Sequence, residues 1–434
     1  MTLVNWTRIP DFAFAVLLIC AFASVARHTQ KPVAGLWLMG WLMILVHTTA
    51  ALFTRVPGIW GGLASLLFPI SLIWAGLLFT YASIPYRNKS SSRWLLAMLF
   101  ASGTFYMTIL FVSPNLHWAM NLAAVMVTLA PLSITLASLR IVNDRRRWLV
   151  VSFCGALSIF LLIVQNRPQY GPHVAGNAVL FMVYFGNCFF AALTYRRATA
   201  GALITISGFF AWALVFIVQP LLAAVQPQVL IESQVWHLPA YLVAVGMMLL
   251  LLEDQIEHNK HLALHDALTG LPNRRLFEDR MASALERSRR TGAQMALLVI
   301  DLNDFKQIND SMGHHIGDVV LQRVASAFAD RVRRSDTVSR TGGDEFSVIL
   351  EEPTNREEAV HVGRSLQQLL NDPLEIEDRK VNVGISVGTA IFPEDGSDAQ
   401  ALCVAADLKM YDEKKRLTIQ SSVETTRTSD LPQQ

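Results

Sequence analysis

Acidic side chains are nearly missing from the first 252 of the chain's 434 residues. That stretch holds 14 Lys and Arg against 3 Asp and Glu, and between Phe12 and Leu252 only Asp144 and Glu232 are acidic. A carrier coupled to protons or cations ordinarily needs a carboxylate at mid-membrane, so the scarcity argues against a transporter and for a sensor or anchor. Cysteine is also scarce. Cys20, Cys154, Cys188 and Cys403 stand at unrelated spacings, which excludes a disulfide framework and a metal knuckle. The His residues of this apolar half never fall at the i, i+4 spacing of a helical metal site. No positively charged start precedes the first apolar run, and more runs follow at once, so it is not a cleaved signal peptide. Charge is low overall. A chain that is 53% hydrophobic and 16% charged is too apolar for an ordinary soluble protein.

What is present in the first half is a series of apolar runs. They predict helices at Phe12–Val25, Val33–Phe53, Ile59–Ala82, Trp94–Val112, Trp118–Leu139, Trp148–Val164, Val174–Leu193, Ala202–Ala224 and Val235–Leu252, most near the roughly 20 residues that cross a bilayer. Basic residues cluster in alternate loops: Arg27 and Lys31, then Arg87, Lys89 and Arg93, then Arg140 and Arg145–Arg147, then Arg196 and Arg197. The other side holds only Arg8, Arg55 and Arg167. The positive-inside rule therefore places the N-terminus outside and everything after Leu252 in the cytoplasm. Lying in short loops between apolar runs, these charges are no signal for nucleic acid. His47, Asn121, Gln165, Asn177, Asn187, Gln219 and His237 are polar groups within or beside the runs, fit either for function or for hydrogen bonds between helices.

The balance then reverses. Residues 253–434 carry 22 Lys and Arg against 31 Asp and Glu, which leaves a formal net charge of +2 for the chain. Glu253 to His265 reads as a helical linker. Beyond it, apolar and polar stretches alternate as in an α/β domain. Helices are expected at Arg275–Arg290, from Gly317 to Val332, at Arg356–Leu370 and at Ala399–Arg416. Met295–Leu302 is a continuous apolar run, as in a central strand covered on both faces, with Asp301 near its end. A loop is expected over Asn303–Asp310 and a hairpin around Val381–Pro393. Residues 418–434, rich in Ser, Thr and Gln, are expected to be a disordered tail.

The stretch Ser339–Leu350 is the densest in chemistry. Gly342-Gly343 supplies the backbone freedom of a tight turn between two strands, with Asp344 and Glu345 at its tip. Set against Asp301, these carboxylates form the arrangement of nucleotidyl-transfer palms, which hold two divalent ions. Lys306 and Lys414 are candidates for phosphates, and Asn309 and Asp318 for a guanine edge.

Residues 266–416 resemble the GGDEF family of diguanylate cyclases. The likeness rests on Asp266-Ala-Leu-Thr-Gly-Leu-Pro-Asn-Arg-Arg275, Phe305-Lys306-Gln307-Ile308-Asn309-Asp310, Gly313-His314, Gly317-Asp318, Arg340-Thr-Gly-Gly-Asp-Glu-Phe346, Ile385-Ser-Val-Gly388, and Ala406-Asp407 through Met410-Tyr411 to Lys414. It says nothing of the polytopic helical membrane domain (1–252) and linker (253–265) read from the apolar runs, and it implies a ferredoxin-like, cyclase-type α/β domain over 266–417. It implies condensation of two GTP into cyclic di-GMP with release of two pyrophosphates. By position, Asp301, the Leu302 carbonyl, Asp344 and Glu345 would bind Mg²⁺ or Mn²⁺, and Glu345, Asp344 and Lys306 would be catalytic. Asn309, Asp318, Phe305, Gly342, Gly343 and Lys414 would hold substrate. An Arg-x-x-Asp pattern, Arg333 to Asp336, with Arg364, would form an inhibitory product site. Partners implied are GTP, cyclic di-GMP, the lipid bilayer of a bacterial inner membrane and a second copy of the chain, without nucleic acid. Lys415-Arg416-Leu417-Thr418 departs from the family's Gly-Arg-Asn ending. The competing expectations are a non-catalytic receptor for GTP or cyclic di-GMP, and a transporter-like protein with a regulatory cytoplasmic domain.

Overall fold

The computed structural model describes residues 4–429 except 30, 84–89, 114, 115, 117, 128–143, 167–171, 196, 229, 230, 354 and 378. The chain forms two compact units, Met1–Ile256 and Glu257–Gln434.

The first unit is helical: α1 (Ile9–His28), α2 (Pro32–Phe53), α3 (Ile59–Ala82), α4 (Ser90–Val112), α5 (Trp118–Val127), α6 (Asp144–Gln165), α7 (Pro172–Thr194), α8 (Ala200–Val225) and α9, which runs on past the unit's end (Ser233–Leu264). Among the described residues, six segments are long and apolar enough to cross a bilayer: Trp6–Arg27, Pro32–Phe53, Ile59–Ala82, His173–Thr194, Ala200–Val225 and Gln234–Leu264. Three apolar helices are shorter, Leu96–Val112, Trp118–Val127 and Val151–Gln165. Of the expected run Trp118–Leu139, the part after Val127 lies outside the described residues. The unit is a multi-pass membrane segment.

Its interior is aromatic. Trp41, Phe79, Tyr184 and Phe209 are almost fully buried, and Trp41 stacks on Trp212 at 6.4 Å between ring centres. Small residues let the helices close up. A Cβ on Gly246 of α9 would lie 2.4 Å from Thr205 Oγ1 of α8, and one on Gly40 of α2 would lie 2.3 Å from the Phe79 ring. Several polar groups singled out in the sequence serve as ties between helices. Asn187 accepts from Thr80 at 2.6 Å and donates to the Gly76 carbonyl at 3.1 Å, while Gln165 donates to Asn121 at 2.6 Å.

The second unit is built on the strand β1 (Met295–Asn303). Its sheet also holds β2 (Thr337–Arg340), β3 (Glu345–Glu351) and β6 (Gly384–Phe392), in the order β2-β3-β1-β6 with every pair antiparallel. The helices are α10 (Arg274–Thr291), α11 (Phe305–Met312), α12 (His314–Arg331), α13 (Arg356–Gln368) and α14 (Ala399–Ser429); β4 (Leu374–Ile376) and β5 (Arg379–Val381) pair separately. From β1 onward this is the split βαββαβ, ferredoxin-like arrangement. The unbroken apolar run of β1 has the expected cause. Ala296, Leu298, Ile300 and Leu302 pack under α11, α12 and α13, while Met295 and Leu297 pack under α10 and α14. Both faces are covered.

Three local expectations are corrected. Residues of the expected loop Asn303–Asp310 form α11, because Phe305 and Ile308, one turn apart, bury against the core and nothing breaks the helix before Gly313. The expected hairpin at Val381–Pro393 is instead a small hairpin, β4–β5, followed by β6, whose apolar residues pair along the whole of β1. Finally, α14 continues beyond Arg416 to Ser429, where a disordered tail was expected; no Gly or Pro intervenes to stop it.

Candidate active site

Side chains alternate along a strand, so Asp301 lies on the same face of β1 as Leu297, toward α14. Glu345 stands directly opposite Asp301 in the β1–β3 register and shares that face with Ile349. Cross-strand neighbours of this kind place their Cβ atoms about 5 Å apart. Lys414 reaches in from α14 and donates to Asp301 Oδ1 at 2.5 Å, so one of the expected phosphate contacts here sits on an expected metal ligand. Asp301 is largely shielded, with 13% of its side chain exposed, whereas Glu345 is open to solvent.

The hairpin tip is tied to the same strand end. Leu302 N donates to the Asp344 carbonyl at 3.2 Å. In an extended strand a residue's N–H and C=O leave on one side, so the Leu302 carbonyl is turned toward the same tip. The turn itself is braced: Thr341 N and Gly342 N both donate to the Glu345 carbonyl, at 3.0 and 3.3 Å. A Cβ on Gly342 would lie 2.5 Å from Glu345 Oε2, so a side chain here would push the Glu345 carboxylate aside.

The remaining substrate candidates gather at the junction of α11 and α12. Asn309 folds over Gly317, where an added Cβ would fall 1.9 Å from Asn309 Oδ1 and 3.3 Å from the Phe305 ring. Asp318 follows directly and is exposed. Gly313 turns the chain between the two helices at φ 89°, in the left-handed region. Lys306 projects from the exposed side of α11, and Phe305 is 9% exposed, a wall more than a contact surface. Phe346, the last residue of the hairpin motif, is core: it packs edge-on against Phe328 of α12. Lys415 lies over the Tyr411 ring at 4.4 Å.

A brace assigned no role from the sequence holds the tip. The Arg340 guanidinium donates to Asp266 Oδ1 at 2.9 Å and, through Nε and Nη2, to the Gly343 carbonyl at 3.1 and 2.7 Å. Asp266 also accepts from the Thr269 amide and hydroxyl at 2.9 and 2.7 Å. Burial works to raise the Asp266 carboxyl, but the bonds from Thr269 and Arg340 outweigh it and hold the group below the ordinary carboxylate value. The Arg–carboxylate pair spans 74 positions of sequence, so no local pattern announces it.

At the Arg-x-x-Asp pattern, the Asp336 carboxylate accepts from Arg333 N at 3.0 Å and Glu351 N at 3.2 Å, closing the turn into β2. Burial pushes this carboxyl up from its ordinary value, against the pull of the Arg333 amide. The Arg333 side chain pairs with Glu358 of α13 at 2.8 Å, and exposed Arg364 stands further along that helix.

Among the described residues, no three His, Cys, Asp or Glu side chains converge as a ready-made metal site. The donors at the tip are nonetheless of the right chemistry for a hard divalent cation: carboxylate oxygens on adjacent strands and a main-chain carbonyl beside them.

The sheet order and the acidic tip place this unit among ferredoxin-like α/β domains of the cyclase and palm type. Residues 263–418 match the family model described as "Diguanylate cyclase, GGDEF domain". This segment is a GGDEF domain. It is 37% identical over 166 residues to the diguanylate cyclase TpbB of Pseudomonas aeruginosa, covering 38% of each protein. With the bifunctional diguanylate cyclase/cyclic di-GMP phosphodiesterase MucR of the same species it shares 40% over 153 residues, 35% of this chain and 22% of MucR. The crystal structure of the TpbB GGDEF domain is 36% identical, with a TM-score of 0.34, and the match covers 34% of this chain and 92% of that one. The chain thus spans well under half the length of these curated relatives.

Proposed function

We propose that the protein is a membrane-bound diguanylate cyclase that condenses two GTP into cyclic di-GMP and releases two pyrophosphates. The observation that carries this reading is the intact Gly342–Phe346 tip set beside Asp301 at the end of the central strand. Asp301, Asp344, Glu345 and the Leu302 carbonyl would hold Mg²⁺ or Mn²⁺. When bound, such ions polarise phosphoryl oxygens and offset the charge that develops on the leaving pyrophosphate. Glu345, solvent-open beside them, would take the proton of the attacking 3′-hydroxyl. Asn309 and Asp318 would read the guanine edge, with Gly317 keeping the space between them clear. Lys306 and Lys414 would meet phosphates, Lys414 leaving Asp301 as metal and nucleotide arrive.

Each domain offers one such constellation and the product is built from two nucleotides, so two chains would face each other. Arg333, Asp336 and Arg364 would hold cyclic di-GMP as an inhibitor. The N-terminus would lie in the periplasm and the α/β unit in the cytoplasm, the spans crossing a bacterial inner membrane, an orientation that the loop charges support. The test is cyclic di-GMP formation from GTP and Mg²⁺ by purified full-length protein beside the double variant Asp344→Ala, Glu345→Ala. Loss of at least about a hundredfold in the variant is expected. Equal product from both proteins, or none from folded wild type that binds GTP, would overturn the proposal; the second outcome would leave a nucleotide receptor.

A further inference from the structure

The membrane unit holds a cavity of about 790 Å³, within the range of small-molecule sites. Its polar lining comes from Arg8, His47, His173, Asn177, Gln219 and His237. These positions lie on five different segments of the chain, His173 and Asn177 sharing α7. The walls between them are aromatic, with Phe68, Trp212, Phe216 and Trp236. We propose that this cavity binds a planar phenol or quinol, hydroxyl groups inward and apolar body against the aromatic walls.

Two imidazoles, His47 and His237, are among the polar groups of the lining. His47 is 6% exposed, and its Nδ1 lies 2.7 Å from the Phe68 carbonyl. A carbonyl can only accept, so Nδ1 carries the proton, and in a neutral imidazole Nε2 is left as an acceptor. His237 turns Nε2 toward Asp11 Oδ2 at 3.7 Å, which leaves its Nδ1 as a further polar atom of the site.

Main-chain acceptors add to these. Proline carries no N–H, and three helices of this unit contain one in their interior: Pro69 in α3, Pro220 in α8 and Pro239 in α9. Pro69 withdraws the helical donor from the Ser65 carbonyl, and Pro220 withdraws it from the Phe216 carbonyl; both residues line the cavity. In hydrocarbon such carbonyls are tolerated where they face a cavity with something to accept from. The third, Pro239, lies two residues beyond His237. With acceptors at His47 Nε2 and at the carbonyls freed by Pro69 and Pro220, beside donors from Arg8, Asn177, Gln219 and Trp236, the site suits a ligand whose hydroxyl groups both donate and accept.

Charge narrows the class further. Arg8 is the one guanidinium on the lining, and Asp11, with 2% of its side chain exposed, stands 3.5 Å behind it. The pair cancels, so an anion gains little here. Asp11 falls one residue ahead of the apolar run as read from sequence, which is how a buried carboxylate passed for a flanking one.

The test uses the full chain in lipid nanodiscs under anaerobic conditions, titrated calorimetrically against empty nanodiscs. Three probes share one tail: decylhydroquinone, its dimethyl ether and 4-decylbenzoate. Saturable binding of the hydroquinone at least about tenfold tighter than either of the others is expected. His47→Phe, which keeps the ring and removes the acceptor, should bring the hydroquinone down to the level of the ether and leave the ether unchanged. Equal affinity for hydroquinone and ether in the wild type, tighter binding of the benzoate, or no saturable binding of the hydroquinone would each overturn the proposal without recourse to the variant. None of these outcomes depends on cyclase activity.

Discussion

The two units handle polar groups in opposite ways. In the α/β unit the groups that matter stand at the rim of a sheet and are held by the main chain. Leu302 N, Thr341 N and Gly342 N fix the tip bearing Asp344 and Glu345, and a strand register sets Asp301 against Glu345. In the membrane unit polar side chains are few, buried and held by one another or by single carbonyls, as with Asn187, Thr80 and Gly76. The first kind of site depends on register, and one misplaced atom disturbs every partner along two strands. The second is a set of separate ties of about 1 kcal/mol or less, each able to fail alone. The contrast predicts brittle behaviour in one unit and graded behaviour in the other.

The sharpest break should come at Gly388 of β6. A Cβ there would fall 1.9 Å from the Ala406 carbonyl and 2.4 Å from Met410 N, so α14 would have to lift off the sheet. Gly388→Ala should cost about 3 kcal/mol in urea unfolding followed by a signal from the α/β unit. Arg340→Ala comes next, at about 2 kcal/mol, because it removes charge-assisted bonds to both Asp266 and Gly343. Its pH dependence has a definite sign. The Asp266 carboxyl is held below its ordinary value, so its contribution is complete above about pH 4, the unfolded value, and fades as pH falls through the lower folded one. The gap between the denaturation midpoints of wild type and Arg340→Ala should therefore narrow only in acid below about pH 4, and the share due to the Gly343 carbonyl should persist there.

A smaller and more local effect is expected at Gly317. Gly317→Ala must displace Asn309 from 1.9 Å while leaving the carboxylate tip untouched, so KM for GTP should rise about tenfold with kcat little changed. A fall in kcat alone would move Asn309 out of the substrate site. Smallest should be Asn187→Leu in the membrane unit, about 1 kcal/mol by thermal unfolding in detergent, since only the ties to Thr80 and Gly76 go. A loss as large as that at Gly388 would erase the distinction between the units.

What could be read from the sequence follows the same division. Most helices of the membrane unit were legible to within a few residues, Ile59–Ala82 to the residue, because a long apolar run admits few other structures; the end of Trp118–Leu139 lies outside the described residues, and α9 runs on past Leu252 to Leu264. The Gly342–Phe346 hairpin was legible because glycines and a β-branched return are local signals. The helix α11 was missed because eight residues with two buried side chains carry too short a period to distinguish from a loop. The Lys414–Asp301 and Arg340–Asp266 contacts join positions 113 and 74 apart, and only the fold makes them neighbours. The cavity around His47 and His237 is of this kind: its residues could be suspected singly, but not assembled.

Arg340 deserves a last consequence. Its guanidinium grips Asp266 on one side and the Gly343 carbonyl on the other, and its own amide donates to Pro272 at 2.9 Å. The loop that follows α9 and the acidic tip therefore share one splint. Neither can fluctuate far by itself, so a thermal excursion of the loop is at the same moment an excursion of the tip. Stiffness at the carboxylates is in this sense borrowed from a segment that carries no chemistry of its own.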